Sequence, residues 1–228
     1  MNVGVFGTGV VGQSIAQKLV ELGHVVIIGT RDVNATLSNT LPNQYGMPPF
    51  SEWYKNQKAV KLGTFAEAAE HAELLFNCSS GKASLEVLKL AGEKNLRGKI
   101  PIDISNPLDF SKGFPPSLTV CNTDSLAEQV QRTFPELKVV KTLNTVNATV
   151  MVRPSVVPED HNLFICGNDV DARTSVVELL KSFGWKESNM LDLGDITNAR
   201  ATEMLLPIWV RLYGKLQTPM FNFKIVIG

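Results

Sequence analysis

The sequence predicts an α/β fold: a Rossmann-like, doubly wound, mainly parallel sheet with a small C-terminal helical extension. Three observations predict it. Short β-branched runs alternate with helical patterns from the first residues, the arrangement that builds βαβ units and a parallel sheet. The first run passes through Gly7, Gly9 and Gly12, in G-x-G-x-x-G spacing, straight into a helical pattern. The chain of 228 residues, 44% hydrophobic and 19% charged, is long and apolar enough for one full core.

Each element follows from hydrophobic period and punctuation. Residues 3–6 (VGVF) read as the first strand, and residues 10–23 as a helix with Val11, Ile15, Leu19 and Leu22 on one face and Gly23 at its end. Residues 25–28 (VVII) are the second strand. Residues 32–58 are polar, rich in Asn and Pro and weakly periodic, so a long, partly irregular excursion is expected. A third strand is expected at 59–62, a helix at 64–72 with Thr64 as N-cap, and a fourth strand at 74–78. A helix at 83–92 closes at Gly92; a fifth strand at 99–105, a helix at 123–134 and a sixth strand at 138–144 follow. Beyond Pro154 come a strand at 162–167, a helix at 169–183 and a strand at 189–194. One long apolar helical stretch from about 195 to 217 and the tail FNFKIVIG finish the chain. The expected organisation is a nucleotide-binding Rossmann domain over 1–150, with C-terminal strands and a closing helix, 151–228, packed on the same core.

Lys+Arg and Asp+Glu balance at 22 each, so no net field draws the chain to nucleic acid or acidic lipid, and attraction for phosphate must be local. Cys78, Cys121 and Cys166 have no C-x-x-C spacing. That argues against a zinc site or a disulfide framework and points to a reducing cytoplasm. Strand-like sequence starts at Val3 without a basic leader, so no signal peptide is expected. The most apolar late stretch, 204–212, contains Pro207 and Arg211. It is shorter than the about 20 residues a membrane span takes, so a buried helix is expected.

The glycine loop carries the first chemistry. Gly7 lets the chain turn sharply, Gly9 lets backbone approach a pyrophosphate, and Gly12 lets helix and strand pack closely. The helix start offers free N–H groups and a positive dipole end. In an NAD site an Asp or Glu about 20 residues along accepts from the ribose 2′-OH. Here that place holds Gly29 and Thr30, followed by Arg31. A hydroxyl and a guanidinium can both donate to a 2′-phosphate, the latter bidentately, which favours NADP. Asp32, one residue later, keeps NAD open as the alternative, with Arg31 then a solvated loop charge.

Other constellations carry less. Tyr54 and Lys58 have the Y-x-x-x-K spacing of a dehydrogenase acid/base pair, but they precede the third strand, in the irregular excursion, so coincidence is the better reading. His24, His71 and His161 do not cluster, and no nucleophile elbow, metal-ligand spacing or Lys-bearing catalytic helix stands out. No catalytic side chain and no metal site are therefore assigned. Hydride transfer between two redox rings proceeds by positioning, because the cofactor supplies the chemistry. The loops expected at the carboxyl ends of the strands, NCSSGKAS, SNPLDF and NTVNATVM, are small and polar. They suit an amide-bearing ring, although part of that composition is ordinary turn chemistry.

The chain resembles the NADP oxidoreductases dependent on the deazaflavin coenzyme F420, with relatives among metalloreductases that carry a similar domain on a haem-binding membrane portion. The resemblance rests on VFGTGVVGQSIAQKLVELGHVVIIGTR, NTVNATVM, FICGNDVDA and LDLGDITNARATEMLLPIWVRL. It implies pyrophosphate contacts from Thr8, Gly9, Val10 and Val11 and a 2′-phosphate site at Thr30 and Arg31. It implies nicotinamide-side contacts around Cys78, Ser79 and Ser80, with Asn106 and Ala148 nearby. Asn144, where some members have His, and Val146 would face the second redox ring. The chain departs from the family in its bulkier, longer C-terminal segment, GKLQTPMFNFKIVIG, and in the excursion; after Arg31 the next basic residue is Lys55.

The function expected is an NADP(H)-binding oxidoreductase that passes a hydride between nicotinamide and a planar acceptor, deazaflavin or flavin-like, in the adjacent crevice. The alternatives are a non-catalytic NADP(H)-binding sensor or partner protein, and a reductase of a quinone or small carbonyl. A β-hydroxyacid dehydrogenase needs a sizeable helical second domain with a catalytic Lys, and too few residues follow Asn147 to make one. A membrane-surface role for the apolar C-terminus ranks last, because the closing helix has a sheet to cover. The expected setting is cytoplasmic, with a small redox molecule as partner, no nucleic acid, no membrane, and a homodimer through the C-terminal segment.

Overall fold

The computed structural model describes residues 1–42 and 46–228. The chain begins with β1 (Asn2–Phe6), α1 (Val10–Glu21), β2 (Val25–Thr30), α2 (Val33–Ser38), α3 (Phe50–Tyr54) and β3 (Val60–Thr64). It continues with α4 (Phe65–His71), β4 (Leu74–Asn77), α5 (Ser84–Ala91), α6 (Glu93–Leu96) and β5 (Ile100–Asp103). A small hairpin, β6 (Leu108–Asp109) and β7 (Ser117–Leu118), precedes α7 (Leu126–Thr133), β8 (Val140–Thr142) and α8 (Ala148–Val152). The last elements are β9 (Leu163–Cys166), α9 (Val170–Ser182), β10 (Met190–Asp192), α10 (Ala199–Met204) and α11 (Leu206–Leu216).

Eight strands form one sheet in the order β10-β9-β8-β5-β4-β1-β2-β3. From β3 across to β8 every pairing is parallel, β9 runs antiparallel to β8, and β10 is parallel to β9. After β1 the chain builds β2 and β3 on one side, then crosses back to lay β4 on the other. That reversal opens a crevice at the carboxyl ends of β1 and β4. Residues 151–228 supply the last two strands of this same sheet.

Parallel strands buried on both faces need apolar side chains on both, which is why β1, β2 and β4 read as unbroken hydrophobic runs. On one face Val3, Val5 and Ile28 pack with Ile15 and Leu19 of α1, Met151 of α8 and Val176 and Leu180 of α9. On the other, Phe6 and Leu75 pack with Phe65 and Ala68 of α4, Leu88 of α5 and Val130 of α7. Each such side chain contributes about 1.5–3 kcal/mol on burial.

The structure departs from or adds to the sequence reading in several places, the short helix α6 among them. The long helical stretch expected from 195 to 217 is divided: a short 3-10 turn, α10, a one-residue interruption at Leu205, then α11. Pro207 is the cause, since it has no N–H to bond the Glu203 carbonyl and its ring crowds that carbonyl. The excursion at 32–58 contains two short helices, α2 and α3, while residues 43–45 of it lie outside the described residues. The hairpin β6–β7 and the short helix α8 carry too few residues for a period to be read. No helix among the described residues is long and apolar enough to cross a membrane.

Candidate functional site

The glycine loop joins β1 to α1 at the reversal point. Gly7 has a positive φ of 120°, and a Cβ on Gly12 would lie 2.0 Å from the Gly7 carbonyl oxygen. Strand end and helix start are therefore in backbone contact. Gly9 occupies the N-cap of α1 with no side-chain cap. A Cβ built there meets nothing within 4 Å. The first N–H groups of α1 thus face an open approach, and no acidic residue lies in its first turn to compete with an anion. Gln13 Nε2 donates to the Thr8 carbonyl at 2.8 Å and fixes the loop.

The next strand end carries Thr30, Arg31 and Asp32. Thr30 is buried, and its hydroxyl lies 2.7 Å from Thr36 Oγ1. Thr36 itself donates to the Asp32 carbonyl at 2.7 Å. Each hydroxyl has one proton, so Thr30 is the donor to Thr36. Its expected donation to a phosphate is therefore already directed inward in this structure. Asp32 Oδ1 accepts the Ala35 N–H at 2.9 Å and caps α2, a task that explains an acid here without a ribose. Arg31 is exposed, and its Nη2 donates to Glu86 Oε1 of α5 at 3.1 Å.

A cavity of about 870 Å³ runs from Thr8, Gly9 and Val10 past Thr30, Arg31 and Asp32 to Pro49 and Trp53. A second, of about 910 Å³, is walled by Val11, Cys78, Ser79, Ser80 and Asn106 together with the β6 hairpin. A third, of about 300 Å³, is walled by Val10, Val11, Asn106, Asn144, Val146 and Ala148, with Leu206 and Trp209 of the closing helix. Val10 borders the first and third, and Val11 and Asn106 the second and third, so the three adjoin in a row, here called the trough, over the carboxyl ends of β2, β1, β4, β5 and β8. Of the residues expected at the site, Gly7 and Gly12 shape the loop from beneath, and all the others border this trough.

The loops are held rigidly. Asn106 Nδ2 donates to the Asn144 carbonyl at 2.9 Å, and Asn144 Nδ2 donates back to Asn106 Oδ1 at 3.0 Å. Asn144 and Val146 are thus buried wall groups. A Cβ on Gly81 would lie 1.9 Å from the Asn106 carbonyl, so the β4 and β5 loops are in backbone contact too. Ser79 Oγ donates to Asn77 Oδ1 at 2.7 Å. Cys78 is half-buried; burial, then the Asp103 carboxylate, push its thiol well above the ordinary cysteine range, so it offers the trough a neutral, inert surface.

Beneath these loops lies a charged network that sequence reasoning missed. Lys141 of β8 is 0% exposed, with Nζ 2.8 Å from Asp103 Oδ2 and 2.9 Å from Glu203 Oε1, and it also donates to the Ser105 carbonyl. Asp103 Oδ1 accepts from Asn77 Nδ2 at 2.9 Å and from Ser105 Oγ at 2.7 Å. Glu203 of α10 accepts the Leu126 and Ala127 N–H groups at 2.9 and 3.2 Å, at the start of α7. Burial alone would lower the lysine's pKa, but the two carboxylates outweigh it and raise it. The available signal was a charged residue at a buried position in each of two parallel strands, Asp103 in KIPIDIS and Lys141 in KVVKTLN.

Tyr54 stacks on Phe50 at 5.5 Å within α3. Among the histidines, His71 donates to the Val25 carbonyl, His161 lies between Pro154 and Asn222, and His24 sits beside the N-terminus. All three hold structure away from the trough.

Comparison with known proteins gives concordant likenesses. The family described as NADP oxidoreductase, coenzyme F420-dependent, matches residues 2–107. A crystal structure of a candidate F420-dependent NADP reductase from Arthrobacter sp. FB24 is 53% identical over 100% of both chains, with a TM-score of 0.95. The F420-dependent NADP reductase of Methanocaldococcus jannaschii is 26% identical, over 96% of this chain and 95% of its own. The rat metalloreductase STEAP3 is 28% identical over 91% of this chain, which spans only 38% of that protein's length.

Proposed function

The chain belongs to the coenzyme F420-dependent NADP oxidoreductases, and from that premise we propose that it binds NADP(H) along the trough and transfers a hydride between nicotinamide and a planar redox acceptor, deazaflavin or flavin. The observation that carries this reading is the row of adjoining cavities, from the open N-terminus of α1 and Arg31 at one end to Asn106, Asn144 and Trp209 at the other. The residues fit the dinucleotide: the open approach at Gly9 admits a pyrophosphate, and Arg31 offers a planar fork for a 2′-phosphate.

Bound there, the nicotinamide supplies the hydride chemistry, and the protein's part is to hold and shield. The α1 N–H groups and Thr8 to Val11 seat the pyrophosphate. Ser79, Ser80 and Ala148 orient the nicotinamide side. The locked amides of Asn106 and Asn144, with Val146, Leu206 and Trp209, form a wall against which a flat ring can stack. The proton that accompanies the hydride would exchange with water at a ring nitrogen of the acceptor, so no side chain needs to carry it. A positioning site of this kind predicts a flat pH–rate profile through neutrality, since the Cys78 thiol stays protonated.

The test is steady-state oxidation of NADPH and NADH with a panel of deazaflavin, flavin, quinone and ferric chelate. NADPH-preferring turnover with deazaflavin or flavin is the expected result. Turnover with quinone alone would replace the acceptor, and tight NADPH binding with no turnover would make the protein an NADP(H) sensor. We also propose a cytoplasmic setting and a homodimer through the C-terminal segment, where Ile208, Val226 and Ile227 are exposed at 46, 82 and 89%. Light scattering should give twice the chain mass, and Ile208→Glu with Ile227→Glu should halve it.

A further inference from the structure

Arg31 does not stand free beside the adenosine end of the trough. It leaves the carboxyl end of β2, and Glu86 lies in the first turn of α5, beyond β4. The bridge between them, 3.1 Å from Nη2 to Oε1, therefore joins elements that follow the two strands flanking β1. The two side chains are 64% and 60% exposed. A pair so open to water is weak and exchanges readily. Its neighbours are otherwise engaged: Asp32 caps α2, and Thr30 donates to Thr36. Among the described residues Glu86 is the one carboxylate paired with Arg31.

We infer that Glu86 is a specificity-determining residue, which sets the strength of cofactor discrimination by competing with a 2′-phosphate for Arg31. The inference rests on the proposed role of Arg31 as the 2′-phosphate ligand. A phosphate monoester brings up to two negative charges and three acceptor oxygens, so it can draw the guanidinium off a single exposed carboxylate. A ribose hydroxyl is neutral and cannot. This competition weakens the phosphorylated cofactor and leaves the unphosphorylated one untouched. The carboxylate thus moderates a preference that Arg31 creates, which shortens the residence of either redox form of the cofactor.

The experiment measures dissociation constants of NADPH, NADH and 2′,5′-ADP for wild type, Glu86→Gln, Arg31→Gln and the double variant, at fixed low ionic strength. Both positions are exposed, and unchanged thermal unfolding will confirm that each variant folds. Glu86→Gln should tighten NADPH and 2′,5′-ADP by about 3- to 10-fold and leave NADH within about twofold. The gain should vanish in the Arg31→Gln background, a coupling that a merely structural Glu86 would not produce. The inference is overturned if Glu86→Gln leaves NADPH unchanged or weaker, tightens NADH equally, or acts without Arg31. If Arg31→Gln weakens NADPH but Glu86→Gln does nothing, the 2′-phosphate reading stands and only the role of Glu86 falls. If Arg31→Gln leaves NADPH binding intact, the 2′-phosphate reading itself falls, and with it this inference.

Discussion

Gly9 and Gly12 stand three residues apart in one loop and meet opposite surroundings. A Cβ on Gly12 would lie 2.0 Å from a backbone oxygen that cannot move aside, whereas a Cβ on Gly9 has open space around it. Gly12 therefore serves folding, and Gly9 leaves room for the proposed pyrophosphate contact. Gly12→Ala should destabilise by about 1–3 kcal/mol or more, read as a fall in Tm. Gly9→Ala should retain stability to within about 1 kcal/mol, the loss coming from alanine's poorer N-cap. It should nonetheless weaken NADPH by about tenfold or more, because the methyl stands where backbone approaches the pyrophosphate. Equal NADPH affinity in wild type and Gly9→Ala would remove the pyrophosphate from this loop. The spacing of the glycines is plain in the sequence, as is the Thr30-Arg31 pair after the second strand. What stays hidden is every partner set by the fold: Glu86 is 55 residues from Arg31, and Asp32 looks like a ribose ligand until its helix cap is seen.

At the scale of elements, legibility follows the range of the forces. The strands and helices with strong local pattern lie within a few residues of where period and punctuation put them. The cap of α4 is a case in point. Thr64 Oγ1 accepts the Glu67 N–H at 3.2 Å, and Glu67 Oε2 accepts the Thr64 N–H at 2.6 Å, as the T-x-x-E pattern announces. Thr64→Ala should destabilise by about 1 kcal/mol, checked by urea denaturation. The hydrogen bonds from Thr64 hold the Glu67 carboxyl below its ordinary pKa. Arg132 does the same for Asp124, gripping it bidentately at 2.9 Å from both guanidinium ends. At Glu128 burial acts upward, but hydrogen bonds from Arg200 and Ser125 prevail. All three have folded values below their unfolded ones. Their stabilisation is thus complete above the unfolded carboxylate range of about 4 and is lost as pH falls through the folded values. Stability should hold from pH 7 to about 5 and decline below about 4, and Asp124→Asn should make that decline shallower. By contrast, the break at Pro207 lay hidden within an apolar pattern that continues through it, and the β6–β7 hairpin is too short to carry one.

The whole molecule is tied together at Lys141. Its ammonium joins Asp103 at the end of β5 to Glu203 of α10, and through them it reaches Asn77 of β4 and the start of α7. The residues that follow these anchors, Cys78 to Ser80, Ser105 and Asn106, and Asn144, border the end of the trough proposed for the nicotinamide. The closing helix, which brings Leu206 and Trp209 over that trough, is fastened by the same lysine through Glu203. Lys141→Met fills similar space but leaves two buried carboxylates facing each other, so it should destabilise by about 3–5 kcal/mol. Glu203→Gln leaves one carboxylate for the lysine and neutralises the other, and should cost less. Loss of the fastening should also raise the KM for the hydride acceptor in Glu203→Gln while NADPH affinity holds, because the place proposed for the second ring is nearest the closing helix. Since the folded lysine's pKa is raised, its contribution is complete below the ordinary value of about 10.4 and is lost only as pH rises through the folded value. A Lys141→Met protein as stable as wild type would mean that packing, and not charge pairing, joins the closing helix to the sheet.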